Sequence, residues 1–319
     1  MLTRGTLVYV SQRLVLIAFT VVAVSSLVFV GIHRLPGNAF VSERVKGAKL
    51  ELLLHEYGLD RPLIVQYQEY ATNALFHADL GESFVNRGLK ITPLVLRELS
   101  VSAEVGGTAL IVTVGLGMLL GVVAAVRQNT WVDYLLTSIS VVGYSMPSFV
   151  TATFLLLVFG IWLGNVTGGA LQYPIGWTGT YGTLAELSVP AFALGFPFAS
   201  IVARLTRASM LEVLRQDYVR TARAKGLRER VVIIRHGLRN ALIPVTTILG
   251  PLVIGIVTGS VVIETIFAIP GLGKEFVESI LRHDYNIVIG VFTMYAAMVG
   301  FANLAVDVAY TVIDPRIRY

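Results

Sequence analysis

The chain has 319 residues, of which 55% are hydrophobic and 14% charged, and its formal net charge is +5. So few charges cannot coat a soluble domain of this length, and with a mean hydropathy of +0.73 the expected solvent is lipid. There is no cysteine, which excludes disulfides, thiol nucleophiles and cysteine-based zinc or iron–sulfur sites.

A membrane-spanning helix needs about 20 apolar residues. Residues 14–32 form the first such run, entered from Arg13. It is longer than the apolar stretch of a signal peptide and does not break after Ala23-Val24-Ser25, so it reads as a retained anchor. Residues 33–100 follow as a long outer segment of balanced charge. Within it Gly58 can close one helix, and Asp60 can cap the next with Pro62 near its first turn. The second run, residues 101–126, is ended by Arg127-Gln128-Asn129. The third begins near Tyr134 and reaches Leu163; Pro147 inside it predicts a kink or tilt. Residues 164–183 form an uncharged, glycine-rich loop. Trp162, Tyr173, Trp177 and Tyr181 suit a membrane interface there. The fourth run, residues 187–203, holds Pro190 and Pro197, which spans tolerate when neighbouring helices re-satisfy the freed carbonyls. The fifth covers residues 242–263 and the sixth residues 287 to about 309.

Arginine and lysine set the expected orientation. Residues 204–239 carry Arg204, Arg207, Arg215, Arg220, Arg223, Lys225, Arg228, Arg230, Arg235 and Arg239 against Glu212, Asp217 and Glu229. Such a loop belongs in the cytoplasm. Arg4, Arg13, Arg127, Arg316 and Arg318 then fall on the same side, which makes both termini cytoplasmic and places residues 164–183 outside. The expected fold class is all-α: a polytopic membrane protein of about six transmembrane helices in a lipid bilayer, with no nucleic acid as partner. Its parts are residues 1–34 (tail and first span), 35–100 (extracytoplasmic segment) and 101–319 (transmembrane core, with a cytoplasmic loop at about 209–240).

Bond-making chemistry finds no support. The nearest fragment to a phosphate loop, Gly271-Leu272-Gly273-Lys274-Glu275, lacks both the spacing and the hydroxyl residue. His33, His55, His77, His236 and His283 are scattered, so no catalytic residue and no metal site are predicted. Glu104, Glu264 and Asp307 lie near the ends of the runs and read as interfacial groups. A stand-alone secondary transporter would need a coupling carboxylate in mid-membrane, and an intramembrane hydrolase would need a nucleophile–base pair. Gly117-x-x-x-Gly121 and Gly255-x-x-x-Gly259 permit close helix contact.

The most informative segment is Asp217, Tyr218, Val219, Arg220, Thr221, Ala222, Arg223, Ala224, Lys225, Gly226 and Leu227. Leu211, Leu214, Tyr218 and Ala222 recur at helical spacing, which predicts an amphipathic helix outside the membrane. Ala222 and Ala224 are small enough to let a partner approach. Gly226 is placed to stop the helix in a left-handed conformation, and a second helix runs through Val231 and Ile234 towards Asn240. A helix, a glycine turn and a helix re-entering the membrane make a rigid knob able to transmit force from a cytoplasmic partner. The bland alternative is a basic loop that only sets topology.

This segment resembles the EAA loop of ABC-importer permeases. Residues 221–227 followed by Arg235-His236-Gly237-Leu238-Arg239-Asn240-Ala241-Leu242-Ile243-Pro244 are similar to the dipeptide/oligopeptide branch. In order along the chain, Leu35-Pro36-Gly37 (with Asn38 where the family usually has an acidic residue), Gly58-Leu59-Asp60-Arg61-Pro62, Gly81-Glu82-Ser83, Pro147-Ser148-Phe149, Phe267-Ala268-Ile269-Pro270-Gly271-Leu272-Gly273, Asp284-Tyr285 and Asp314-Pro315-Arg316-Ile317-Arg318-Tyr319 also match. Arg220-Thr221-Ala222 stands where the general loop has its acidic residue, and Pro244 lies further from Gly226 than in the general pattern. The resemblance implies a type I ABC importer permease fold in the bacterial cytoplasmic membrane. It also implies a heterodimeric pore with a second permease subunit, two ATP-binding subunits docked on the knob, and an extracytoplasmic peptide-binding protein. ATP and Mg would act on the partner subunits, with no cofactor on this chain. Dipeptides or oligopeptides would cross by alternating access; similar permeases carry nickel chelates or glutathione. The coupling residues would be Asp217, Tyr218, Arg220, Thr221, Ala222, Arg223, Ala224, Lys225, Gly226 and Leu227. Pro270, Gly271, Leu272 and Gly273 would belong to an outer gate region, and the substrate contacts stay unassigned.

Overall fold

The computed structural model describes residues 4–34, 48–170, 173–174, 176–179 and 181–313. The matches at residues 35–38 and 314–319, and both chain ends, lie outside the described residues. Helix follows helix. In order they are α1 (Arg4–His33), α2 (Ala48–Glu56), α3 (Leu63–Phe76), α4 (Ile91–Val126), α5 (Trp131–Ser145), α6 (Ser148–Leu155), α7 (Leu163–Val166) and α8 (Leu184–Val213). They continue with α9 (Asp217–Ala224), α10 (Glu229–Val231), α11 (Arg239–Ala241), α12 (Ile243–Ile266), α13 (Leu272–Leu281) and α14 (Tyr285–Ile313). Two stretches wind as π-helix: Leu156–Trp162 before α7, and Val232–Leu238 before α11. Among the described residues, β-type pairing amounts to one antiparallel bridge, Glu82 with Lys90.

Among the described residues six helical segments are long and apolar enough to cross a membrane: Val8–His33, Ile91–Val126, Ser148–Val166, Leu184–Val213, Ile243–Ile266 and Tyr285–Val308. Two differ from the sequence expectation. The second helix begins at Ile91 rather than residue 101. Ile91, Val95, Glu98 and Ser102 recur at three- and four-residue spacing and are all buried, so the helix buries a face before its apolar run starts. The third is not one kinked helix across Pro147. A residue before proline is pushed out of the α region; Met146 is extended at φ −88°, ψ 123°, and Pro147 takes the N-cap position of α6. The span is therefore α6, a π-helical stretch and α7, with α5 a separate element. Pro62, not Asp60, takes the N-cap position of α3 and makes no side-chain cap there, whereas Gly58 does close α2, at φ +66°.

The chain divides into two compact units, one from Met1–Ser102 and Pro270–Leu304 (with Tyr319), the other from Ala103–Ile269 and Ala305–Arg318. In the first, Leu80, Ile91, Val95, Leu272, Ile287 and Val291 form a buried core. The carboxylate of Asp284, fully buried, accepts a hydrogen bond from the Ser83 hydroxyl and one from the Phe84 N–H at 3.2 Å. A buried polar group is tolerable only when it is hydrogen-bonded in this way. Asn286 Nδ2 donates to Glu82 O at 2.8 Å, and Phe84 packs with Leu54, Tyr57, Leu59 and Tyr285. The matches at Gly58-Leu59, Gly81-Glu82-Ser83 and Asp284-Tyr285 thus meet in one place.

In the second unit α8 is the centre, with α5, α6 and α12 packed on it. It starts on a capping box: Thr183 Oγ1 accepts the Glu186 N–H at 3.3 Å, and Glu186 Oε2 accepts the Thr183 N–H at 2.8 Å. Glycines set how close α4 lies. A Cβ at Gly117 would stand 2.6 Å from Val202 Cβ, and one at Gly195, on α8, 2.6 Å from Ala109 O. Only backbones without a Cβ at the crossing approach so closely, and there Thr113 Oγ1 donates to Gly195 O at 3.1 Å.

Candidate coupling site

The sequence predicts one amphipathic helix through Leu211, Leu214, Tyr218 and Ala222; the structure contains two. α8 stops at Val213, and Leu214 packs beside Met210, Ala125 and Ala241. A turn follows, with Gln216 N–H donating to Val213 O at 3.1 Å, and α9 starts afresh at Asp217. α9 is amphipathic on its own. Val219 and Ala222 face inward onto Val232, Val213 and Leu214. It ends in a Schellman motif: Leu227 N–H donates to Ala222 O at 3.4 Å and Gly226 N–H to Arg223 O at 2.9 Å. Gly226 sits at φ +77°, the left-handed conformation this motif requires at C′.

Of the predicted coupling residues, Asp217, Tyr218, Arg220, Thr221, Arg223, Ala224, Lys225, Gly226 and Leu227 are exposed. Ala222 is not: it is buried within the chain's own packing, so its small side chain seats α9 rather than admitting a partner. Side-chain contacts tie α9 to the segment that climbs to α12, among them a Tyr218 Oη donation to His236 O at 3.5 Å. Asn240 Nδ2 donates to Tyr218 Oη at 2.8 Å. Arg223 pairs with Glu229 through Nη2 at 2.8 Å and Nε at 3.2 Å, which holds the Glu229 carboxyl below its ordinary range. Gly237, in the π-helical stretch, lets that segment close on α8; a Cβ there would stand 3.3 Å from Leu214 and 3.4 Å from Met210.

Two polar groups beside this knob and at the far end of α8 escaped the sequence reading. Arg207, on α8, grips Asp133 of α5 with both ends of its fork, Nε to Oδ1 and Nη2 to Oδ2, each at 2.7 Å. Asp133 is 2% exposed, also accepts the Asn129 N–H at 3.0 Å, and is held below the usual carboxylate range, first of all by the Arg207 hydrogen bonds. No local pattern announces it, since the partners are 74 residues apart. Glu186, by contrast, carried a legible signal: Thr183-Leu184-Ala185-Glu186 is a capping-box spacing. Beyond the cap, Glu186 Oε1 accepts from the Thr178 N–H at 3.0 Å and its hydroxyl at 2.7 Å, pinning the aromatic loop to α8.

The turn Pro270-Gly271-Leu272-Gly273 lies within the first unit. Gly271 is the N-cap of α13, and the Leu272 N–H donates to Ser102 Oγ at 2.9 Å. Gly271, Leu272 and Gly273 are buried and Pro270 is half-buried. Phe276 of α13 meets Phe292 edge to face at 4.9 Å, while Ile280 and Leu281 stay exposed. Among the described residues no group of three or more His, Asp and Glu side chains is placed to hold a metal ion.

Six spanning segments and a helical knob between the fourth and fifth describe a multi-pass membrane protein of the permease class. The family described as binding-protein-dependent transport system inner membrane component matches residues 117–319, and the chain belongs to that family. It is similar to the dipeptide transport system permease protein DppB of Bacillus subtilis (strain 168), 40% identical over 311 residues, 97% of each chain. The oligopeptide transport system permease protein OppB of Escherichia coli (strain K12) is 40% identical over 285 residues, 89% of this chain and 90% of that one. DppB of Lactococcus lactis subsp. cremoris (strain MG1363) is 38% identical over 311 residues, 97% and 99%. Among solved structures, one described as an amino acid ABC transporter with histidines covers 71% of this chain and 95% of its own at 17% identity, with a TM-score of 0.46. The chain is an inner-membrane permease subunit of the ABC importer type.

Proposed function

We propose that this chain forms one half of a heterodimeric pore that imports dipeptides or oligopeptides. The observation that carries the reading is the 40% identity to a dipeptide permease across 97% of both chains. A homologous second permease would complete the pore, two ATP-binding subunits would hydrolyse ATP with Mg, and an extracytoplasmic binding protein would deliver the peptide. The exposed residues of α9 and its cap, Asp217, Tyr218, Arg220, Thr221, Arg223, Ala224, Lys225, Gly226 and Leu227, would meet the ATP-binding subunits. A short helix held by its own inward face, by Asn240 and by Glu229 is tied to the segment that climbs to α12, which supports this role. Pro270, Gly271, Leu272 and Gly273 would brace the outer gate region, where their burial suits a fixed corner rather than a mobile flap. Binding of ATP would bias the two states of the pore. The arginine-rich loop would put α9, Arg127 and both termini in the cytoplasm. Purifying the chain from its own cell with its partners tests the reading. Co-purifying ATP-binding subunits and a binding protein loaded with peptide are the expected result. A binding protein loaded with a metal chelate or glutathione would overturn the peptide cargo alone, and a chain that transports without any ATP-binding subunit would overturn the whole.

A further inference from the structure

The climb from the Gly226 turn to α12 has two faces. Its inner face, Val232, Gly237 and Ala241, is buried against α8 and α9. Its outer face is apolar as well: Leu227, Val231 and Ile234 are 41%, 38% and 51% exposed, and Ile243, at the start of α12, is 52% exposed. Arg228, Arg230, Arg235 and Arg239 flank this stripe and are exposed. No ion pair engages any of the four among the described residues. The acidic residue of the segment, Glu229, is already taken by Arg223. A basic amphipathic stretch can face a soluble partner or a membrane surface. The stripe here leads into the exposed Ile243 at the start of α12, a helix long and apolar enough to cross a membrane. An apolar stripe that leads into a membrane-spanning helix, carrying cations and no free carboxylate among the described residues, suits the headgroup layer of an anionic leaflet.

The geometry points to a lipid site: residues 228–243 lie along the cytoplasmic headgroup layer, Val231 and Ile234 dip below it, and Arg228, Arg230, Arg235 and Arg239 bind the phosphates of anionic phospholipid. This rests on the cytoplasmic assignment of the loop proposed above. It also gives the knob a floor: α9 would be held at a set height above the membrane by lipid contacts as well as by protein.

The test uses the complete importer, permease pair with ATP-binding subunits, in nanodiscs of phosphatidylcholine with and without phosphatidylglycerol. Phosphatidylglycerol retained by the complex on transfer to detergent is measured by mass spectrometry. The intact importer is expected to retain it several-fold over phosphatidylcholine. Replacing the four arginines by glutamine should abolish that enrichment while the ATP-binding subunits still co-purify, and replacing them by lysine should restore it. A spin label at position 234 should be more accessible to oxygen than to a water-soluble relaxation agent. Undiminished enrichment in the glutamine variant overturns the proposal. So does loss of the ATP-binding subunits at unchanged lipid retention, which would make this face part of the protein docking surface. A cysteine at position 235 separates the two levels. Labelling from outside the cell sinks the topology, whereas labelling from inside without lipid enrichment sinks the lipid site alone.

Discussion

Gly226 and Ala222 sit four residues apart and fail differently when changed. No atom lies within 4 Å of a Cβ built on Gly226, so a substitution there meets no clash and pays only for its φ of +77°. That penalty is roughly 1–2 kcal/mol for a residue with a Cβ, larger for a β-branched one. Gly226→Val is expected to leave insertion and pairing intact but to release the ATP-binding subunits or uncouple uptake from hydrolysis, read by co-purification beside peptide uptake. Ala222 faces the chain's own core, so Ala222→Trp overpacks it at a cost of about 1–3 kcal/mol and disorders the knob before any partner is met. Ala224 is the sharper probe of docking. It is exposed, so Ala224→Trp should keep the thermal midpoint of the purified permease and still lose the ATP-binding subunits. Wild-type coupling in Ala224→Trp would remove α9 from the docking surface.

At the scale of elements, the Asp133–Arg207 pair joins α5 to α8 ten residues before α9 begins. Asp133→Asn leaves a partly exposed guanidinium without its counter-charge and should cost about 1–2 kcal/mol, seen as a lower melting temperature of the permease in detergent. The pH dependence has a definite sign. A carboxyl whose folded pKa is depressed contributes stability that is present above its unfolded pKa, about 3.9, and lost as pH falls through the lower folded value. The gap between wild type and Asp133→Asn should therefore stay flat from pH 5 to 8 and narrow only in stronger acid; a gap that closes near pH 7 would mean another group is responsible. The crossing of α4 and α8 has no such charge and depends on shape. Gly195→Leu should separate the two helices and abolish uptake, because its first side-chain atom already collides with Ala109 O.

For the molecule as a whole, the arginine distribution makes a topology that can be checked in a naturally cysteine-free chain. Cysteines placed at positions 127 and 223 should label from the cytoplasm, and those at 69 and 177 from outside; position 69 labelled only from inside would defeat the arrangement. The spans themselves were legible because apolar length is a property of contiguous residues. What the reading lost had two physical sources. Local rules compete: the apolar run across Pro147 predicts a long helix with a kink or tilt, whereas the restriction proline puts on Met146 implies a break. The start of α4 was hidden because Arg97 and Glu98 broke the apolar count while Ile91, Val95 and Ser102 kept the helical period. The other source is distance along the chain. The burial of Asp133 and Asp284 depends on partners 74 and about 200 residues away, and no window of sequence contains both members. Within the knob, the stop at Gly226 was written in the residues, but the inward turn of Ala222 was decided by Val232 and Leu214, which only the folded chain brings to it.

The meeting of Ser83 with Asp284 bears on how the protein is made. The two residues are 201 positions apart, and Asp284 lies beyond the fifth span. A ribosome working from the amino end releases the first span and residues 35–100 long before Asp284 exists. Until then the Ser83 hydroxyl and the Phe84 N–H lack their carboxylate, and the core of Leu80, Ile91 and Val95 lacks Leu272, Ile287 and Val291. The core of the first unit is thus expected to be a late product of biosynthesis, closed only when the last hairpin of chain arrives. Nascent chains arrested before residue 284 are expected to be inserted yet cut readily by protease within residues 78–92, and full-length chains to resist. Equal resistance in both would show that the segment around Ser83 folds without its distant carboxylate.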